Sequence, residues 1–286
     1  MKLCDLPDFE DPALLAMLRE ILPDRDPAFL ERKHWEFAML GLFLEHVGRL
    51  NDRTEALDLG AGHEPIMYWL ANRLGRVVAT DIYGEGPFSG LEAQESVLES
   101  PRAHAPYPYR EDRLEVMHMD ARELDFPDES FDVVFTLSSI EHFGPPPDVA
   151  RSARELARVL RPGGHAFVVT ECFVRRHPLN AAPVDFAARL ATLGRRARGA
   201  TPRRRARVAE VFTPRELMKW IVEPSGLRLM QPLDLSISPE SWKNLTRSVA
   251  GGGLEPATGE YSPHILLQID RSVFTSVALA LEKPGG

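Results

Sequence analysis

The chain is poor in cysteine, and this excludes two ways of stabilising a fold. Its 286 residues contain only two cysteines, Cys4 and Cys172. Two thiols are too few for a disulfide framework or for a zinc site built from cysteines. We therefore expect both thiols to be reduced, with Cys172 as a small core residue in a predicted strand.

Positive charge is also scarce relative to negative charge. Lysine and arginine total 34 against 42 aspartates and glutamates, which gives a net charge of −8. Affinity for nucleic acid comes largely from basic side chains that contact phosphates. Nucleic acid is therefore not an expected partner, although small basic patches remain compatible with this balance.

Long apolar runs are missing as well. No stretch approaches the roughly 20 apolar residues of a membrane-spanning helix, and the first residues lack the apolar core of a signal peptide. We expect no membrane span and a cytoplasmic protein. The length of the chain suits one large α/β domain with additions.

One stretch organises the rest of the chain. Residues 56–65 read Ala-Leu-Asp-Leu-Gly-Ala-Gly-His-Glu-Pro, which predicts a strand, a tight turn and the start of a helix. Gly60 and Gly62 can adopt backbone angles closed to other residues and let a ligand approach the main chain. Pro65 suits the first helical turn, but it occupies the position of the third small residue in the dinucleotide fingerprint. A NAD-type pyrophosphate site is therefore disfavoured.

Three further predicted strands end in polar residues. The strand at 77–80 ends at Asp81, whose carboxylate can accept hydrogen bonds from both hydroxyls of a ribose. The strand at 114–119 ends at Asp120, and the strand at 131–138 leads into a polar turn. Ligands of open parallel sheets bind at the carboxyl ends of the strands, so this edge is the expected binding site.

In this order the motifs resemble the class I S-adenosylmethionine (SAM) dependent methyltransferases. The resemblance rests on D-x-G-x-G after the first strand, the acidic end of the second, Asp-Ala after the third and F-D-x-V opening the fourth. An L-x-P-G-G turn at 160–164 precedes the fifth strand. The resemblance covers roughly residues 55–173. It implies an α/β fold, a Rossmann-like seven-stranded and mostly parallel sheet with an antiparallel last strand, and SAM as the cofactor.

The resemblance also implies roles for individual residues of the cofactor site. Glycines line the methionine moiety, the acidic end of the second strand holds the ribose, and Asp120 with Ala121 holds the adenine. Asp120 has an alternative role as a cap of the next turn. The predicted cofactor residues are Asp58, Gly60, Gly62, Asp81, Ile82, Asp120, Ala121 and Ser138.

The sharpest candidate for chemistry is the pair Glu141 and His142 after the fourth strand. An imidazole titrates near neutral pH, so His142 is a candidate general base for an attacking hydroxyl. The pair also resembles the end of an E-x-x-E-H motif that holds a divalent metal in some methyltransferases, but Ser138 replaces its first glutamate. A general base, a magnesium site and simple helix-start packing all remain open, with magnesium not favoured; Glu171 could join either of the first two arrangements.

The chain divides into four predicted parts. Residues 1–50 form a helical cover over the pocket, residues 51–173 the SAM-binding core, residues 174–212 a basic helical insertion or lid, and residues 213–286 the last strands with a substrate-side loop. The helix of the cover either completes the core or brings His34 or Trp35 to the cofactor.

The arginine-rich stretch at 195–207 has two interpretations. It is either a solvated face or a patch for a phosphate-bearing or acidic substrate, because guanidinium groups bind oxyanions in bidentate fashion.

These features predict a SAM-dependent methyltransferase that acts on a small molecule. The N-P-P-Y type motif of enzymes that methylate amino groups of nucleic acids is absent, and residues 137–140 read Leu-Ser-Ser-Ile instead. With His142 as base, the expected acceptor group is a hydroxyl of a sugar or another polyol. The alternatives are a metal-assisted O-methyltransferase, a NAD-dependent or nucleotide-sugar oxidoreductase, and a non-catalytic SAM-binding protein. The oligomeric state is left open.

Overall fold

Five parallel strands form one half of the sheet, in the order β3-β2-β1-β4-β5. The strands are β1 (Glu55–Leu59), β2 (Arg76–Asp81), β3 (Leu114–His118), β4 (Phe131–Leu137) and β5 (Leu160–Arg175). The inner residues of β1, β2 and β4 are mostly apolar and buried, as expected for parallel strands with both faces covered, whereas β3 at the edge of the sheet is only partly buried.

The other half is mostly antiparallel. The long strand β10 (Ser272–Glu282) pairs with β5 on one side, and with the short β6 (Arg228–Leu229) and β9 (Leu267–Ile269) on the other. Beyond β9 lie β7 (Thr246–Ser248) and β8 (Leu254–Pro256), and the short strands β7 and β9 pair in parallel. The fold class is thus confirmed, while the described part of the chain forms ten strands rather than the expected seven, because residues 246–269 add three short ones.

This computed structural model describes residues 1–86, 88–176, 210–248, 254–256, 263–269 and 271–285. The predicted lid falls almost entirely outside these ranges, and its arginine-rich stretch does so completely. Among the described helices there is none with the length and apolar character needed to cross a membrane.

The N-terminal cover consists of α1 (Pro12–Ile21) and α2 (Arg32–His46). Asp11 caps α1 through hydrogen bonds from the amides of Ala13 and Leu14. Trp35, Leu40 and Leu44 of α2 are fully buried against the sheet, in a cluster that includes Phe135 and Phe167. The cover is therefore part of the core as well as a wall of the binding edge.

Shorter helices complete the two faces. After β1 comes α3 (Pro65–Ala71), and α6 (Pro146–Val159) connects β4 to β5. Thr213 and Glu216 form a capping box at the start of a helix that continues through a π-helical turn and ends at Gly226, whose φ is 66°. That helix comprises α7 (Pro214–Leu217), the π-helical turn (Met218–Val222) and α8 (Glu223–Ser225). The remaining described helices are α4 (Ser96–Glu99), α5 (Pro101–His104) and α9 (Pro239–Lys243), together with short 3-10 helices at Leu6–Glu10, Glu111–Arg113 and Ile140–His142.

The strand order reverses between β1 and β4, since the chain leaves β1 toward β2 and β3 and returns on the other side. At such a switch point the connections diverge to opposite faces and leave a crevice at the carboxyl ends of the strands. The polar residues predicted from the sequence stand at this crevice.

Candidate cofactor and active site

A pocket opens at the carboxyl ends of β1 to β4. Seven of the eight predicted cofactor residues line it, all except Asp58, and His142 lines it too. Its walls also contain residues that the sequence did not single out: Lys33, Glu64, Glu85, Phe88, Glu92, Ala93, Met119, Arg122, Ser139, Phe143 and Gly144.

The turn after β1 depends on a glycine. Gly60 has φ of 75°, and its amide donates to the carbonyl of Thr80 at 2.8 Å. A Cβ atom on Gly60 would lie 2.5 Å from the Cβ of Ser139, whose hydroxyl donates to the Gly60 carbonyl at 2.8 Å. The missing side chain therefore lets the turn pack directly against the end of β4.

Asp81 links this turn to the second strand. Its Oδ2 accepts a hydrogen bond from the Gly62 amide at 3.0 Å, and its Oδ1 accepts one from the Ile82 amide at 2.7 Å. Burial raises the pKa of Asp81, while these two amides act in the opposite direction. Each oxygen of the oriented carboxylate has a further lone pair, which suits two hydroxyl donors of a ribose.

Asp120 already has a strong partner. The Arg122 side chain donates to both of its carboxylate oxygens at 2.6 to 2.9 Å, and the Arg122 amide donates to Oδ1 at 2.8 Å. The side-chain hydrogen bonds from Arg122 hold the pKa of Asp120 below its usual range. A contact between Asp120 and an adenine amino group must therefore compete with Arg122.

The pocket wall is mainly acidic. Five acidic residues line it, against the two cations Lys33 and Arg122: Glu64, Asp81, Glu85, Glu92 and Asp120. Burial raises the pKa of Glu64 to about 7, against the effect of the neighbouring Lys33 ammonium. Acidic walls of low dielectric favour a cationic ligand over an anionic one.

The helix α2 reaches the pocket through Lys33 rather than through the two neighbours suggested by the sequence. The Lys33 ammonium donates to the Leu137 carbonyl at 2.7 Å and forms an ion pair with Glu64. Trp35 is fully buried, with its indole N–H donating to Asp8 at 2.8 Å, and His34 lines a separate surface cavity. Neither His34 nor Trp35 lines this pocket; of the two interpretations, the burial of Trp35 fits a helix that completes the core.

His142 is oriented by two contacts. Its Nδ1 lies 3.0 Å from Oε2 of Glu210, and its ring lies 4.8 Å from the ring of Phe88. Glu210 lies 68 positions after His142 in the chain, and no sequence pattern links the two residues. With Nδ1 directed at a carboxylate, Nε2 is the nitrogen left for proton transfer.

Glu141 and Asp58 are buried and do not line the pocket in the described structure. Glu141 accepts a hydrogen bond from the Thr170 hydroxyl at 2.8 Å, and burial, followed by repulsion from Glu171, raises its pKa to about 8. Burial also raises the pKa of Asp58 well above its usual range, and its Oδ2 has no hydrogen-bond partner. Their roles in the chemistry and in the turn remain predictions.

The predicted metal arrangement does not converge in the described residues. Glu141 contacts Thr170, whereas His142 contacts Glu210. Glu171, the third candidate, accepts a hydrogen bond from Arg32 at 2.9 Å. A search of the described part of the chain finds no group of three or more histidine, cysteine or acidic side chains that could hold a metal ion.

The Gly60 turn yields a test with an internal control. We expect Gly60→Ala to lower the free energy of unfolding by about 2 to 5 kcal/mol, because the backbone strain of positive φ adds to the clash with Ser139. Gly48 has φ of 67° but no atom within 4 Å of an added Cβ. Gly48→Ala should therefore cost only the strain, about 1 to 2 kcal/mol. Urea unfolding of both variants measures the difference, and equal losses would contradict the proposed close approach.

Glu141 gives a prediction of pH dependence. Its pKa of about 8 in the folded protein exceeds the ordinary value of 4.5, so between these values the folded state retains a proton that the unfolded state releases. Raising the pH through this window therefore lowers the stability of the wild type relative to Glu141→Gln, with a slope on the order of 1 kcal/mol per pH unit. Unfolding curves of both proteins from pH 5 to about 8 measure the slope. A difference that stays flat or rises with pH would argue against a buried, protonated Glu141.

Comparison with known proteins places the similarity on this same edge. Residues 57–168 match a family model described as a methyltransferase domain. The 27-O-demethylrifamycin SV methyltransferase of Amycolatopsis mediterranei is 36% identical over 117 residues, which cover 41% of this chain and 37% of that protein.

Two further relatives match similar segments. The demethylmenaquinone methyltransferase of Lysinibacillus sphaericus is 28% identical over 127 residues, 43% of this chain and 50% of that protein. The phosphatidylethanolamine N-methyltransferase of Cereibacter sphaeroides is 34% identical over 106 residues, 37% of this chain and 51% of that protein. The chain thus spans between about a third and a half of the length of these relatives.

The segment matched by the family model runs from β1 into β5. It contains the glycine turn, Asp81 and Asp120, together with the switch point of the sheet. The similarity of this segment therefore supports a class I S-adenosylmethionine-dependent methyltransferase domain over residues 57–168.

Proposed function

We propose that the protein transfers a methyl group from SAM to a hydroxyl group of a small-molecule acceptor. The observation that carries the proposal is that Asp81, the acidic wall and His142 line one pocket at the switch point of the sheet. The match to a methyltransferase domain over the same strands supports it.

The residues of the pocket fit SAM by their chemistry. Asp81, already oriented by two backbone amides, offers acceptor oxygens for the ribose hydroxyls. Glu64 and Glu92 supply negative potential for a ligand that carries an ammonium and a sulfonium. Ile82 and Met119 provide apolar surface for the adenine ring, and Lys33, ion-paired with Glu64, supplies positive charge on the same wall.

When bound, SAM supplies a methyl group made electrophilic by a positively charged sulfur. The contribution of the chain is to hold both reactants in line and to keep water out, which can account for about 7 to 11 kcal/mol of barrier lowering in favourable model systems. The glycine turn and the end of β4 are in direct contact, so this wall is well suited to fixing such an alignment.

His142 acts as the general base in this proposal. It takes the proton of the acceptor hydroxyl on Nε2 as the acceptor oxygen bonds to the methyl carbon. The bond from that carbon to the sulfonium sulfur would break at the same time, with S-adenosylhomocysteine as the leaving group. Glu210, 3.0 Å from Nδ1, stabilises the imidazolium that results. The carboxylate also fixes the orientation of the ring relative to the pocket.

The acceptor class is inferred from this base. A hydroxyl needs deprotonation during methyl transfer, and His142 is placed at the pocket to provide it. The name of one relative, 27-O-demethylrifamycin SV methyltransferase, denotes an oxygen acceptor, whereas that of another denotes a nitrogen acceptor. Within the hydroxyl class we propose a sugar or another polyol natural product.

The structure gives less support to the other functions considered. A pyrophosphate of NAD would meet Glu64 and Glu92 in the pocket wall, where like charges repel. A metal-assisted mechanism through Glu141 and His142 is disfavoured by their separate partners. A non-catalytic SAM-binding protein would have no use for the orientation of His142 by Glu210.

A methyl-transfer assay on His142→Ala tests the role of the base. With a panel of glycosides and polyols as acceptors and release of S-adenosylhomocysteine as the signal, we expect kcat to fall by about 10² to 10⁴, the usual contribution of a general base. Binding of S-adenosylhomocysteine should change much less, because the base acts on the acceptor.

The matched control is His46→Ala, an exposed histidine at the far end of α2, which should leave kcat unchanged. Glu210→Gln should lower kcat less than His142→Ala, because the amide keeps a polar contact but loses the charge. Full activity of His142→Ala would exclude the proposed base. Absence of transfer to every hydroxylated acceptor, with transfer to amines, would exclude the acceptor class.

A further inference from the structure

Glu36 is a buried carboxylate that joins three elements of the fold. It lies on α2 and is only 2% exposed. Its Oε1 accepts hydrogen bonds from the hydroxyl of Ser138, just after β4, at 2.7 Å and from the hydroxyl of Ser276 on β10 at 2.6 Å. Its Oε2 has no hydrogen-bond partner but lies 3.4 Å from the Lys33 ammonium.

Ser138, one of these partners, has an unusual backbone conformation. Its φ is 51°, in the left-handed region that residues with a side chain adopt at a cost. Such strain persists only where the surroundings hold it in place. The Ser138 amide donates to the Val169 carbonyl at 2.9 Å, and the Ser138 hydroxyl is held by Glu36.

The strained residue determines the shape of the pocket wall. Ser138 lines the pocket, and the next residue, Ser139, makes the close contact with Gly60. A relaxed backbone at Ser138 would change the direction of the chain just before that contact.

Glu36 also faces the cation of the pocket. Lys33 donates to the Leu137 carbonyl, pairs with Glu64 and lies next to Oε2 of Glu36. Electrostatic attraction to both Glu36 and Glu64 raises the pKa of Lys33 despite its burial. The ammonium is therefore held charged at a fixed position beside the end of β4.

We infer that Glu36 is a positioning residue of the cofactor pocket, which acts through Ser138 and Lys33 without lining the pocket itself. Its carboxylate holds the strained Ser138 on one side and the Lys33 ammonium on the other. The inference rests on the proposed function, because the ligand whose affinity it affects is SAM or its product.

A purely structural role has a different signature. Buried charges often contribute little net stability. If Glu36 has only a structural role, loss of either serine hydroxyl should lower the stability of the fold to the same extent and leave the affinity for the ligand unchanged. Ser138 and Ser276 donate to the same oxygen of Glu36 from two different elements, the end of β4 and strand β10. They therefore form a matched pair for separating positioning from stability.

The experiment is calorimetric titration of wild type, Glu36→Gln, Ser138→Ala and Ser276→Ala with S-adenosylhomocysteine, with melting temperatures of all four. We expect both serine variants to lower the melting temperature by similar amounts. Ser138→Ala should weaken binding about ten- to hundredfold, the effect of losing one hydrogen bond to a charged group. Glu36→Gln should also weaken binding, because the amide oxygen keeps a contact with Ser138 but the charge that faces Lys33 is lost. Ser276→Ala should stay within about twofold of wild type, because Ser138 and Lys33 still hold the carboxylate.

Ser138 lines the pocket, so its own contact with the ligand needs a control. The double variant Glu36→Gln/Ser138→Ala supplies it. If Glu36 acts through Ser138, the double variant should bind S-adenosylhomocysteine only slightly less tightly than the single variant with the lower affinity. If the two residues act independently, their affinity losses multiply.

Each outcome decides between the possibilities. The positioning role would be overturned by any of three results: the affinity losses of the single variants multiply in the double variant, the two serine variants weaken binding equally, or Glu36→Gln and Ser138→Ala leave the affinity unchanged. Should Glu36→Gln not fold, comparison of the two serine variants still decides. A wild-type protein that does not bind S-adenosylhomocysteine would instead overturn the proposed function.

Discussion

The close approach between the turn after β1 and the end of β4 is the constraint on which the pocket depends. Gly60 has no side chain, so Ser139 can lie against it and donate a hydrogen bond to its carbonyl. The contact spans the switch point of the sheet and fixes the two strand ends between which the crevice opens. Every other feature of the site is placed relative to this contact.

Electrostatics add a second level of organisation. Several carboxyl groups are removed from water around the pocket, and desolvation raises the pKa of Glu64, Asp81 and Glu141. Two of them, Glu64 and Asp81, line the pocket, where Lys33 forms an ion pair with Glu64. Such a site is costly to form in the absence of a ligand and complements one that brings positive charge and hydroxyl donors. This is the physical reason why the arrangement suits SAM better than a dinucleotide.

Many residues at the carboxyl ends of the strands could be predicted from the sequence, because neighbouring residues in the chain show where each strand ends. A glycine turn or an acidic residue directly after an apolar run identified Gly60, Gly62, Asp81 and Asp120 without knowledge of the tertiary structure. The partners of these residues could not be predicted in the same way. The hydrogen bonds from Arg122 to Asp120, for example, depend on side-chain geometry within a turn.

The contribution of α2 shows the limit more clearly. The apolar pattern predicted a helix and its buried face, and it suggested His34 or Trp35 as the residue of this helix that contacts the cofactor. Instead, Lys33 lines the pocket, and Glu36, buried one turn later on the same helix, lies 3.4 Å from its ammonium. A charged pair of this spacing usually indicates a solvated face, and only the packing of the helix against β10 reverses that interpretation. Glu210 was not predicted as a partner of His142, because the two residues are far apart in the sequence and only the tertiary structure brings them together.

The most direct test of the account is whether the switch-point pocket binds the product of methyl transfer in preference to a dinucleotide. Calorimetric titration with S-adenosylhomocysteine and with NAD should show binding of the former in the micromolar range, a free energy of about −8 kcal/mol, and no comparable binding of NAD. Asp81→Ala, which removes both ribose acceptors, should abolish the binding of S-adenosylhomocysteine. Tighter binding of NAD, or unchanged binding in Asp81→Ala, would contradict the assignment of the pocket.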